Sequence, residues 1–88
     1  MKMTLEIVNE KGLHARASAK FVETVALFDA QAEVSKDGMS VMGDSIMGLM
    51  MLAASKGTTI AVETSGNQSQ ELADALQNLV ADMFGEGK

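Results

Sequence analysis

The spacing of hydrophobic and polar positions changes several times along this chain, and each change marks an element. In "TLEIV" (4–8), Leu5 and Ile7 alternate with Thr4 and Glu6, which predicts a strand with one buried face. "NEKG" (9–12) reads as a loop. The period then lengthens: Ala17, Phe21, Val25 and Phe28 share one face of a helix over about 15–28, with Lys20, Glu23 and Thr24 outside the stripe. "AEVSK" (32–36) and "MSVM" (39–42) flank Asp37-Gly38, a type I′ hairpin signal because both turn residues need positive φ. In "GDSIMGLMMLAASKG" (43–57), Asp44 or Ser45 supplies cap chemistry, strong helix formers follow, and Gly57 is the predicted stop. "TTIAVET" (58–64) is β-branched and alternating, hence a strand, and "SGNQSQ" (65–70) a loop. A last helix over about 69–84 aligns Leu72, Leu76, Leu79, Val80 and Met83.

The resulting order, β-α-β-β-α-β-α, predicts a two-layer α+β domain. Pattern alone does not fix the strand order and leaves a ferredoxin-like split βαβ open. The 88 residues make one small domain with a modest core, and 47% apolar residues are enough to fill it.

Charge narrows the partners. Seven basic residues face twelve acidic ones, and the six lysines are scattered, so no basic stripe forms for nucleic acid or an anionic membrane surface. Without cysteine, thiol nucleophiles, disulfides and thiolate metal sites are excluded, and one histidine gives little basis for a metal centre. Neither a secretion signal nor a run of the ~20 apolar residues of a membrane span stands out, so a cytoplasmic protein without cofactor or metal is expected.

Against this background "GLHARAS" (12–18) is distinctive, since it holds the only histidine, His14, and the only arginine, Arg16. A helix beginning beside His14 offers free N–H groups and partial positive charge, both of which favour anions. Arg16 adds a planar donor fork suited to phosphate oxygens. Imidazole accepts and returns phosphoryl groups, and attack requires the uncharged ring. The bland reading of a lone histidine there is a surface or capping residue.

"GLHARASAKFV" (12–22) resembles the active-site segment of the HPr family, the histidine-containing phosphocarriers of the bacterial phosphoenolpyruvate phosphotransferase system. "DSIMGLMMLAASKGTTI" (44–60) is similar to that family's second signature, and the resemblance covers residues 1–88 as a single phosphocarrier domain. The "Ala-Ser-Ala-Lys" after Arg16 resembles the nitrogen-related (NPr) branch or alphaproteobacterial members more than the main sugar-uptake proteins. The resemblance implies an open-faced β-sandwich, four antiparallel strands covered on one face by three helices. It implies phosphorylation of His14 at Nδ1, Arg16 steadying the phosphoryl group, and the backbone of Ala15, Arg16 and Ala17 contacting it. The implied donor is enzyme I and the implied acceptor an enzyme IIA, in sugar uptake or nitrogen-related regulation. The carrier would be a covalent relay rather than a stand-alone enzyme, and a monomer.

Ser45 matches the position that a serine kinase phosphorylates in some members; its local role is a helix cap. Ile46, Met47 and Met50 match exposed docking positions, which leaves Leu49 and Leu52 for the core. Two departures stand out. Ala17 replaces a proline common in the family and keeps an N–H donor; Glu23 replaces a frequent lysine and weakens steering toward an acidic partner. The competing reading is a ferredoxin-like regulatory or interaction module without phosphotransfer, which leaves His14 and Arg16 idle.

Overall fold

Alternation in the strands sets the architecture. The computed structural model describes all 88 residues as β1 (Lys2–Glu6), α1 (Ala15–Ala26), β2 (Gln31–Lys36), β3 (Met39–Met42), α2 (Ile46–Met51), β4 (Thr59–Ser65), α3 (Ser69–Ala81) and a 3₁₀ turn (Met83–Gly85). The strands form one antiparallel sheet in the order β1-β4-β2-β3. β1, β2 and β4 turn every second residue inward: Leu5 lies opposite Ile60, and Val62 opposite both Met3 and Val34. All these apolar side chains fall on the face that the helices cover. The other face, with Thr4, Glu6, Glu33, Ala61 and Glu63, is open to solvent. This is the open-faced sandwich that the family resemblance implied.

The predicted turn between β2 and β3 is present, with Asp37 at φ 51° and Gly38 at φ 84°, as a type I′ turn demands. Helix α1 buries Ala17, Phe21 and Val25, as its stripe predicts, but ends at Ala26, and Phe28 follows in a tightened turn, half-buried. Helix α3 buries Leu72, Leu76 and Val80 and leaves Leu79 at its margin.

Two elements differ from the sequence expectation. The helix-forming run over 43–57 yields only six helical residues in α2. Ala53 takes φ +52°, and the chain then runs alongside the end of β1: Ala54 O accepts from Leu13 N–H (2.9 Å), and Gly57 N–H donates to Ile7 O (2.8 Å). Pairing with a distant segment overrides local helix preference here. Helix α3 stops at Ala81 rather than near 84, because Met83 and Phe84 are both left-handed (φ 55° and 54°). That reversal drives the Phe84 ring into the core, where it is fully buried. Lys20, placed outside the α1 stripe, donates from Nζ to Phe84 O (2.6 Å) and ties the C-terminal turn to α1.

Candidate functional site

The geometry around His14 begins with Gly12. Its φ of +63° lies in the left-handed region, and a Cβ there would sit 2.3 Å from Ala54 O and 2.9 Å from Ser55 Cα. Only glycine lets the loop pass this close to the segment after α2. The turn is fixed further by Asn9, fully buried, whose Nδ2 donates to Gly12 O (2.9 Å). Gly12→Ala is therefore expected to lose roughly 2–4 kcal/mol, from left-handed strain plus overlap with backbone that cannot yield. Chemical denaturation measures this, and a variant within about 0.5 kcal/mol of wild type would contradict the packing described.

His14 is the N-cap of α1, with extended backbone (φ −73°, ψ −177°), and its side chain makes no capping bond. The first backbone bond of the helix runs from Ser18 N–H to His14 O at 2.9 Å. The amides of Ala15, Arg16 and Ala17 consequently lack backbone acceptors, as at any helix start. The methyl group of Ala17 is buried; Arg16 is exposed, and its guanidinium makes no ion pair within the chain. His14 and Arg16 line one open cleft of about 230 Å³ together with Glu10, Lys11, Gly85, Glu86 and Lys88, with no apolar side chain among them.

Glu86 is the residue that sequence reasoning missed. Its Oε1 accepts from Asn9 Nδ2 (2.9 Å), and its Oε2 meets His14 Nε2 in a hydrogen bond. With Nε2 as the donor, the ring proton sits on that nitrogen and Nδ1 keeps its lone pair. Burial pushes the Glu86 carboxyl upward, but hydrogen bonds from Asn9 and His14, with the charges of His14 and Lys11, outweigh it and hold the group below its ordinary value of 4.5. A depressed carboxyl stabilises the fold above its unfolded value and loses that contribution as pH falls through the folded value. Wild type is thus expected to be more stable than Glu86→Gln near neutral pH, with the gap closing below about 4.5. Thermal melts across pH test this, and a gap unchanged well into the acid range would contradict it.

The remaining candidates lie around α2. Ser45 is its N-cap, half-buried, with Oγ accepting from Gly48 N–H at 2.9 Å. Leu49 and Leu52 are buried, whereas Ile46, Met47 and Met50 are exposed. Met50 and His14 line the same shallow depression, with Leu13, Ala53 and Ala54, so the apolar surface of α2 runs up to the histidine. Glu23 lies on the exposed side of α1. No helix is long and apolar enough to cross a membrane.

Comparison with known proteins identifies the family. The family described as "PTS HPr component phosphorylation site" matches residues 1–82. The phosphocarrier protein HPr of Neisseria meningitidis serogroup A is 50% identical over 88 residues, covering 100% of this chain and 99% of that protein. HPr of Cupriavidus necator is 50% identical over 82 residues, 93% of this chain and 92% of its own. The crystal structure of HPr-C-His from Thermoanaerobacter tengcongensis superimposes with a TM-score of 0.93 at 41% identity, covering 98% of this chain and 97% of that one. With the whole chain matched in sequence and in fold, the protein belongs to the HPr family of phosphocarriers of the phosphotransferase system.

Proposed function

We propose that this protein takes a phosphoryl group from phospho-enzyme I onto Nδ1 of His14 and passes it to an enzyme IIA, serving sugar uptake or nitrogen-related regulation. One observation carries the residue assignment. The single histidine of the chain has Nε2 occupied by Glu86, beside three amides without backbone acceptors and an arginine without an ion-pair partner. Attack by Nδ1 forms an N–P bond as the donor's N–P bond breaks, and the ring gains positive character. Glu86 on Nε2 offsets that charge and holds the ring's orientation, as a carboxylate does behind a catalytic histidine. The incoming group brings roughly −1.5 to −2 charge. Arg16, Lys11 and the amides of Ala15, Arg16 and Ala17 balance it. In the second half-reaction the acceptor's nucleophile attacks phosphorus, the N–P bond to His14 breaks, and the ring returns to its starting state.

Both partners would meet the protein over Ile46, Met47 and Met50, which are 40%, 73% and 44% exposed and of which Met50 borders the histidine. Flexible thioethers suit a surface that must fit different partners in turn. Incubation with enzyme I and phosphoenolpyruvate should add one phosphoryl group per chain, labile in acid and stable in base, and fragment-ion mass spectrometry should place it on His14. A phosphate found on serine, or none at all, would overturn the assignment.

A further inference from the structure

The chain has eight methionines and no cysteine, tryptophan or tyrosine, so peroxide chemistry on it falls to thioethers. Five of the eight stand on β3 and α2: Met39, Met42, Met47, Met50 and Met51, all exposed. The two elements are in contact, because the backbone of Gly48 lies against Val41. Met47 and Met51 are the most open of the five, at 73% and 65%, and their i, i+4 spacing puts them on one face of α2. Met3 and Met83 are partly buried, and Met1 lies beyond β1 at the opposite edge of the sheet, its amino group bonded to Thr64 O.

We propose that Met47 and Met51 form a reversible oxidation site through which a hydroperoxide withdraws the docking face from the phosphoryl relay. The inference rests on the phosphocarrier reading above. Sulfur attacks a peroxide oxygen, the O–O bond breaks as the S–O bond forms, and two electrons pass from sulfur to the oxidant, which leaves as water or an alcohol. An exposed apolar thioether becomes a strongly polar sulfoxide. The free protein tolerates this, since both side chains already face water. A docked complex does not, because the sulfoxide oxygen must be desolvated against a surface shaped for an apolar group. Oxidation therefore acts on partner recognition while His14, Arg16 and Glu86 keep their geometry. Methionine sulfoxide reductases, one for each epimer, reverse the step.

The test treats the full chain with hydrogen peroxide, maps sulfoxides by peptide mass spectrometry, and measures the rate of His14 phosphorylation at limiting enzyme I. Sulfoxides are expected first at Met47 and Met51, with the rate down about tenfold or more and the thermal midpoint unchanged. Treatment with both reductases should restore the rate. The double variant Met47→Leu/Met51→Leu, compared with its own untreated rate, should not respond to peroxide. A relay rate that survives oxidation of both residues overturns the proposal, as does first oxidation at Met3 or Met83, or a loss that persists in the double variant. No phosphate uptake by the untreated protein would instead overturn the carrier reading, and this inference with it.

Discussion

His14→Ala is expected to take up no phosphate from enzyme I and phosphoenolpyruvate while still folding, with a melting midpoint lowered by less than about 8 °C. The two halves of that result have separate causes. Chemistry stops because the chain has no other imidazole, and the covalent step needs a nitrogen whose second nitrogen is held as a donor. Stability persists because the His14 side chain makes no capping bond, and its backbone, which alanine retains, accepts from Ser18. The one bond given up is to Glu86, which still accepts from Asn9, so the cost is about 1 kcal/mol. For a domain of this size that corresponds to roughly 4–8 °C in the melting midpoint. Phosphate incorporation into the variant at a rate near wild type would sink the proposed relay, and a collapse of the fold would show that the ring carries structural weight absent from its contacts.

The ease with which the sequence yields this site differs from residue to residue, for physical reasons. Local signals served well wherever a short stretch decides its own conformation. Asp37-Gly38 specified its turn, the alternation in 58–64 its strand, and the stripe of α1 its buried face. His14 and Arg16 were legible because each is the only one of its kind and both stand at a helix start. Long-range contacts were not legible. The truncation of α2 is imposed by Leu13 and Ile7 on a segment more than forty positions later, and nothing in the helix-forming run from 46 announces it. Glu86 was missed because its contact with His14 spans a sequence separation of 72. A signal was available: a phenylalanine followed by glycines at 85 and 87 is poor material for a helix end and good material for a chain reversal. Asn9 gave less warning, since an asparagine in a loop is ordinarily a turn residue rather than a buried clamp between two backbone segments.

Phe84→Ala should be strongly destabilising, and its effect should reach the candidate site. The ring is fully buried within the core cluster, and emptying such a site costs about 3–5 kcal/mol. Part of that is returned, because the left-handed conformations at Met83 and Phe84 (φ 55° and 54°), each worth roughly 1–2 kcal/mol, persist only while the ring is anchored. A net loss of about 1–3 kcal/mol is expected by denaturant titration, a sizeable share of the ~5–15 kcal/mol typical of a domain. Phe84→Leu, which keeps most of the volume, should lose clearly less. With the anchor gone, residues 85–88 detach, and Glu86 leaves both Asn9 and His14. The consequence is a non-additive cycle: Glu86→Gln changes stability in the wild-type background but adds little in the Phe84→Ala background. The acid-range dependence traced to the Glu86 carboxyl should disappear along with it. Additive losses would mean that the tail stays seated on the histidine without its aromatic anchor, and the coupling between core packing and the ring's orientation would have to be abandoned.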